Sequence, residues 1–262
     1  MDKSCPYPKT RLDPAGTTGL ILCGMGGPDG PDAVEPFLRN LFADPAIFPV
    51  PKPFGPLLGR LIAKVRAPGV RRRYLTISPD GATAQLPTTR RQGEELARRL
   101  GARGRRTFAG VAMRYWRPYP DETVPELRGR GARQFLVVPT YPQYSCATNG
   151  STLGFVLDSL RRLAPEAAVH VVPEWGLEPG FVAALARPVA ESLGAWAAAG
   201  HDPAACAWLS VAHSLPQKLV DGGDPYLDQT RATLDAVHAA VARDLAASGH
   251  GDWFAALPGG DA

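Results

Sequence analysis

The fold prediction starts from one stretch, AWLSVAHSLP at residues 207–216. It is apolar up to His213, and Pro216 ends any regular structure three residues later. A short apolar run is typical of a buried strand, and open α/β sheets place their ligand crevices at the carboxyl ends of such strands. An imidazole there is a candidate general base or metal ligand, and a histidine packed in the core is an equally ordinary interpretation.

Strands and helices alternate around this stretch. Apolar runs predict strands over residues 18–23, 107–115, 134–139, 168–172 and 206–212. Helical spacing and capping residues predict helices over residues 34–42, 87–100, 121–130, 151–163, 181–199 and 224–246. This alternation predicts an α/β fold with parallel sheets flanked by helices.

The pattern restarts near Pro165, so we expect two Rossmann-like lobes, residues 1–165 and residues 166–262. The second lobe receives only two of the predicted strands, which is fewer than an ordinary sheet contains. We therefore expect the second lobe to be incomplete.

Composition excludes several classes of protein. The chain has no run of about 18 apolar residues, no apolar secretion signal, and four scattered cysteines, so we expect a cytoplasmic protein without disulfides. Residues 1–165 carry 25 Lys and Arg against 13 Asp and Glu, whereas residues 166–262 carry 4 against 12. The basic half suits a carboxylate-bearing ligand or an anionic membrane surface, and a plainly solvated surface is the equal alternative. Nucleic acid is not an expected partner, because no nucleic-acid-binding motif occurs.

A proline-rich segment, residues 45–68, interrupts the alternation. It contains an amphipathic piece with basic residues Arg60 and Lys64 among its apolar ones, which lie on one side: Leu57, Leu58, Leu61, Ile62 and Val65. Two interpretations stay open: a lid or lip in peripheral contact with a membrane, and an ordinary helix packed on the core. Packing on the core is the favoured one.

A glycine-rich turn, GMGGPD at residues 24–29, follows the first predicted strand. Its glycines allow a tight turn and a close approach of the backbone to a ligand. Asp29 stands where a dinucleotide fingerprint has its third glycine, and no Walker lysine follows, so phosphate binding is not expected.

Several motifs occur together in one order. They are GGP (26–28) with PFLRNLF (36–42), MRY (113–115), YPQYS (141–145), and SVAHSLP (210–216) with GDPY (223–226). In this combination, over about residues 18–247, the chain resembles ferrochelatases, which insert ferrous iron into a porphyrin to make haem. The resemblance implies two Rossmann-like lobes with a porphyrin cleft between them, and porphyrin and Fe²⁺ as substrates.

The resemblance also implies roles for individual residues. His213 matches the family's histidine, proposed to accept pyrrole protons, to bind iron, or both, and Met25 matches a residue that faces the macrocycle. Positions near the propionates or in the cleft are matched by Arg73, Tyr74, Thr83 (where a serine is usual), Arg114, Tyr115, Tyr144 and Ser145. Such residues suit an apolar disc with carboxylate tails, and bending the disc exposes its nitrogen lone pairs.

Cys146 directly follows YPQYS, where some ferrochelatases have one ligand of a [2Fe–2S] cluster. A cluster needs four ligands, and this sequence has no cysteine group towards its C-terminus. We therefore expect no cluster in this chain.

The family's pattern continues past the helix at 224–246 with further strands and a glutamate that faces the histidine, and this sequence has no counterpart. We therefore expect weak or no chelatase activity from residues 1–262. The alternatives are a non-catalytic tetrapyrrole-binding protein and a related sirohydrochlorin or cobalt chelatase. The choice between protoporphyrin IX and coproporphyrin III, and the oligomeric state, do not follow from the sequence.

Overall fold

The computed structural model describes residues 7–47 and 54–258. Its strands in that part of the chain are β1 (Thr18–Gly24), β2 (Thr107–Met113), β3 (Gln134–Pro139) and β4 (Ala168–Val171). Its helices there are α1 (Val34–Phe42), α2 (Phe54–Ile77), α3 (Gln85–Ala102), α4 (Pro120–Gly129), α5 (Ser151–Leu163), α6 (Pro179–Ala198), α7 (Gln217–Asp221), α8 (Tyr226–Ala247) and α9 (Gly251–Ala255). The first four predicted strands and the six predicted helices are confirmed to within two residues at each end.

The strands form one parallel sheet in the order β2-β1-β3-β4. β1 is central, since it pairs with β2 on one side and with β3 on the other. All seven residues of β1 are buried, as is usual for a parallel strand covered on both faces. The predicted α/β class is confirmed, and the carboxyl ends of β1, β2 and β3 meet at one edge of the sheet.

Internal contacts divide the chain into two units. Unit 1 comprises Met1–Tyr141 and Ser145–Glu174, and unit 2 comprises Pro142–Tyr144 and Trp175–Ala262. Each unit has its own hydrophobic core.

β4 belongs to the sheet of unit 1, so the assignment of residues 168–172 to a second lobe is wrong. β4 pairs in register with β3, from Gln134 beside Ala168 to Val137 beside Val171. The reason is hydrogen bonding: without β4, the outer edge of β3 would leave a row of backbone N–H and C=O groups unpaired.

Helix α2 packs on α1, as the favoured interpretation of residues 45–68 predicts, but its apolar stripe is not the buried face. Leu57, Leu61 and Val65 are 69%, 59% and 72% exposed. The buried face of the helix carries small residues four positions apart: Gly55, Gly59, Ala63 and Ala67. Small side chains let the α2 backbone approach α1 closely, since a Cβ atom on Gly59 would lie 2.9 Å from the Phe42 carbonyl oxygen.

Unit 2 is helical in the part that the structure describes. α6 and α8 pack against each other, and α9 packs on α8. Their shared core includes Val182, Leu193, Val241, Leu245 and Phe254.

The strand predicted over residues 206–212 is wrong. Residues 206–216 are irregular, and Leu209 and Val211 are each 83% exposed. A strand needs a neighbour to pair its backbone groups, and no strand occurs among the described residues of unit 2. The segment is instead attached through Trp208, whose ring stacks on that of His238 with 5.4 Å between the ring centroids.

Candidate active site

The glycine-rich turn leaves the sheet at the carboxyl end of its central strand, β1. Gly26 has φ +79°, and a Cβ atom there would lie 2.9 Å from the Met113 Cβ atom. A Cβ atom on Gly27 would lie 2.5 Å from the Thr83 Oγ1 atom. The turn therefore requires glycine at both positions, because of backbone conformation at the first and close packing at both.

Backbone hydrogen bonds hold Met25 within this turn. The N–H groups of Arg114 and Tyr115 donate to the carbonyl oxygens of Gly24 and Met25, at 2.8 and 2.9 Å. Burial raises the pKa of the Tyr141 hydroxyl, and the nearby backbone of Met25 opposes that rise. The residues that follow β2 thus fix the Met25 turn through two main-chain bonds, and the cleft role predicted for Arg114 and Tyr115 stays a prediction.

The Met25 side chain packs against a cluster formed by α1, α2 and the end of β2. Its buried members are Val34, Phe37, Leu38, Ala63, Ala67 and Tyr115, and Met25, Tyr74 and Trp116 pack on them partly exposed. Burial raises the pKa of Tyr74. The cluster gives Met25 and Tyr74 a common apolar surface.

Arg73 and Thr83 lie on neighbouring elements. Arg73, near the end of α2, is exposed, and within the described residues no carboxylate lies at ion-pair distance from its guanidinium. The Thr83 N–H donates to the Pro28 carbonyl oxygen at 3.0 Å, and its side chain packs against Gly27. Thr83 is therefore part of the turn's support, and Arg73 is a cation free to meet an anionic group.

Arg114 and Tyr115 direct their polar groups to Asp44. The Arg114 Nη2 atom lies 2.9 Å from the Asp44 Oδ2 atom, and the Tyr115 hydroxyl donates to the same oxygen at 2.6 Å. Tyr115 is 3% exposed. Burial raises the pKa of the Tyr115 hydroxyl, and its bond to the Asp44 carboxylate raises it further. In this conformation Tyr115 supports the site and does not line it.

Asp44 is a residue that the sequence analysis missed. Burial of Asp44 would raise its pKa, but hydrogen bonds from Ser151, Tyr115 and the Ala46 N–H, together with the charge of Arg114, lower it below its ordinary value. The carboxylate is therefore the stable form. Asp44 directly follows α1, and no pattern in the sequence marks it as a partner of residues about 70 positions away.

Ser145 and Tyr144 each have a hydrogen-bond partner within their own unit. Ser145 is completely buried in unit 1, and its hydroxyl accepts a hydrogen bond from the Ala147 N–H at 3.2 Å. Tyr144, in unit 2, donates its backbone N–H to the Gln229 Oε1 atom at 2.7 Å. Ser145 thus serves its own turn, and the binding role predicted for both residues stays a prediction.

His213 lies in the irregular segment of unit 2 and is exposed. Its Nδ1 atom lies 2.7 Å from the Ser214 carbonyl oxygen, so Nδ1 carries the proton and Nε2 is the basic nitrogen of the neutral ring. The imidazole is therefore not a core histidine. Among the described residues no group of three or more His, Cys, Asp or Glu side chains converges, so no resident metal site is defined there.

A parallel α/β sheet that supports a glycine turn with an apolar Met and Tyr surface is consistent with the chelatase class of proteins. The sequence profile of the ferrochelatase family matches residues 17–251. The chain belongs to the ferrochelatase family, whose members are lyases of haem biosynthesis that insert iron into porphyrin.

Curated relatives agree with this assignment. Ferrochelatases of Gloeobacter violaceus and Aquifex aeolicus are each 37% identical, over 88% and 84% of this chain and over 70% and 67% of their own lengths. The ferrochelatase of Hyphomonas neptunium is 36% identical over 86% of this chain and 61% of its own length. The chain thus spans about two thirds of the relatives that it matches.

Proposed function

We propose that this chain catalyses the insertion of Fe²⁺ into a porphyrin, at the weak rate that the sequence leads us to expect. The observation that carries the proposal is the Met25 turn, in which glycines, main-chain bonds and an apolar cluster together present a thioether at the carboxyl edge of the sheet. A thioether and an aromatic ring provide the polarisable apolar surface that a flat macrocycle requires.

Charged and polar groups near the turn suit the porphyrin's acidic tails. Arg73 is an exposed cation, and six basic residues but no acidic ones occur in α2. A guanidinium binds a carboxylate through two parallel N–H···O bonds. We assign Arg73 to the propionates and Met25 and Tyr74 to the ring face, with Arg114, Tyr115 and Thr83 as supports of that face.

His213 is proposed as the base that accepts the pyrrole protons. Iron insertion releases two protons from the ring nitrogens, and the Nε2 of the exposed imidazole can take up one proton at a time and pass each to solvent before accepting the next. General-base catalysis of this kind contributes about 10²–10⁴ in rate. Fe²⁺ is a substrate here, and imidazole is also a suitable transient ligand for it.

The test is anaerobic incubation of the purified chain with Fe²⁺ and either protoporphyrin IX or coproporphyrin III, followed by visible spectroscopy. We expect a haem spectrum with one of the two porphyrins and a loss of rate of about 10²–10⁴ in His213→Ala. His201→Ala is the matched control, since His201 is also an exposed histidine of unit 2. A shifted but metal-free porphyrin spectrum, equal in the wild type and His213→Ala, would instead indicate binding without catalysis and overturn the proposal.

We also propose peripheral contact of α2 with an anionic membrane surface. No helix in the described part of the chain is long and apolar enough to cross a membrane. The exposed stripe of Leu57, Leu61 and Val65 lies beside the exposed cations Arg60 and Lys64. An apolar stripe flanked by basic residues is the pattern of helices that lie in the membrane interface.

Vesicle sedimentation tests this contact. We expect binding to phosphatidylglycerol vesicles and not to phosphatidylcholine vesicles. Because burying one leucine contributes about 1.5–3 kcal/mol, Leu61→Ser should weaken binding about tenfold or more. Leu177→Ser, at a leucine of unit 2 that is 58% exposed, should have no effect. Equal binding of both variants, or no binding by the wild type, would contradict the contact.

A further inference from the structure

Asp44 joins three separate parts of unit 1. Its Oδ1 atom accepts the Ala46 N–H at 2.9 Å, within its own turn. Its Oδ2 atom receives the Tyr115 hydroxyl and the Arg114 guanidinium from beyond β2, and the Ser151 hydroxyl from the start of α5. A buried carboxylate is tolerated only with such partners, so these bonds are coupled: loss of the charge affects all of them together.

The Arg114 side chain is held along its whole length. Its Nε atom donates to the Ser151 Oγ atom at 2.8 Å, and its guanidinium carbon lies 4.7 Å from the centroid of the Phe155 ring. Arg114 also lines a cavity of about 500 Å³ together with Asp44 and Asp121. Without Asp44, a partly buried guanidinium would lose its carboxylate partner and could move into this open space.

Tyr115 is held at three groups. Its hydroxyl is bound by Asp44, its carbonyl oxygen accepts the Asn40 side-chain amide at 2.9 Å, and its N–H donates to the Met25 carbonyl oxygen. The backbone of residues 114–115 is therefore the direct link between Asp44 and the turn. A displacement of these residues must move the Gly24 and Met25 carbonyls or break two hydrogen bonds.

We propose that Asp44 is a positioning residue for the iron-insertion reaction, which holds the Met25 turn in place through Arg114 and Tyr115. The role in the reaction rests on the function proposed above. Asp44 itself does not contact the porphyrin in this proposal. Its effect is on the placement of the ring, and small displacements of a bound reactant cost large factors in rate.

The test compares Asp44→Asn with Asp121→Asn. Asp121 lines the same cavity, but its carboxylate bonds to Ser159 and Arg162 and not to the turn. We expect Asp44→Asn to raise the exchange rates of the Arg114 and Tyr115 amides about tenfold to hundredfold, the factor for one lost hydrogen bond to a charged group. Exchange at β4 amides should stay unchanged in both variants, and Asp121→Asn should behave as the wild type at residues 114–115.

Kinetics supply a second readout. Asp44→Asn is expected to lower kcat for iron insertion at least about tenfold while leaving KM for Fe²⁺ unchanged, because the metal is not bound by this network. If Asp44→Asn does not fold, Ser151→Ala removes one donor to Asp44 and the acceptor of the Arg114 Nε atom while leaving the carboxylate in place, and it should raise exchange at the Arg114 amide about threefold to tenfold.

The outcomes separate the two proposals. Unchanged exchange at residues 114–115, a uniform rise across the sheet, or the same rise in Asp121→Asn would each overturn the positioning role. Absence of haem formation by the wild type would overturn the proposed function, and the exchange measurement would still decide whether Asp44 holds the turn.

Discussion

The close contact between α1 and α2 can be tested by replacing one glycine of α2 and comparing it with another. A Cβ atom at Gly59 would lie 2.9 Å from the Phe42 carbonyl oxygen and 3.1 Å from its carbon. A Cβ atom at Gly69, in the same helix, would have no atom within 4 Å. Gly59→Ala and Gly69→Ala therefore differ in packing and share the change in helix propensity.

Two contributions to the free energy of unfolding, helix propensity and overpacking, have opposite signs in these variants. Alanine stabilises a helix interior by about 0.5–1 kcal/mol relative to glycine, and this gain applies to both variants. Overpacking against backbone costs about 1–3 kcal/mol, and this applies to Gly59→Ala alone. We expect Gly69→Ala to stabilise unit 1 and Gly59→Ala to be less stable than Gly69→Ala by about 1–3 kcal/mol.

Urea unfolding and hydrogen exchange of α2 amides measure this difference. The difference between the two free energies of unfolding is the informative quantity, because propensity cancels in it. Values equal within about 0.5 kcal/mol would refute the close approach of α2 to α1, and with it the reason given for the outward leucine stripe.

Two further predictions concern the turn and its support. Gly27→Ala should destabilise the chain by about 1–3 kcal/mol, because its Cβ atom meets the Thr83 side chain. Adding Thr83→Ala should recover most of that loss, as measured by urea unfolding of the double variant. Additive losses of stability in the double variant would contradict the contact. Because the pKa of Tyr115 is raised on folding, the hydroxyl stays protonated to a higher pH in the folded state than in the unfolded state. The stabilising effect of the Tyr115 hydroxyl is therefore complete below about pH 10 and is lost as pH rises above that value. The alkaline fall in stability should be shallower in Tyr115→Phe by about 1.4 kcal/mol per pH unit, and an unchanged slope would show that Tyr115 ionises freely.

Local sequence patterns were sufficient for the strands of unit 1, for its helices other than α2, and for the turn. The run at 18–23 is apolar on both faces, which is the pattern of a central parallel strand, and the glycines after it signal a tight turn. The predicted cleft residues Met25, Tyr74, Thr83, Arg114 and Tyr115 are brought to or around this turn.

The failures have a common physical cause, which is that pairing and packing are not local. The apolar run at 206–212 looks like a strand, but a strand also needs a neighbour, and the described residues of unit 2 contain none. The leucines of α2 look like a core face, but glycine and alanine on the opposite side allow a closer approach of backbones. Asp44 was missed because its partners are distant in sequence, and an isolated aspartate after a helix is common.

The central place of β1 has a consequence for biosynthesis. β1 is synthesised before β2 and β3, which cover its two edges and end at Met113 and Pro139. At about 5–20 residues per second, roughly 4–18 s pass between synthesis of Gly24 and of Met113. During that interval a largely apolar strand has no native neighbour, so the nascent chain is an expected client of chaperones that shield such segments.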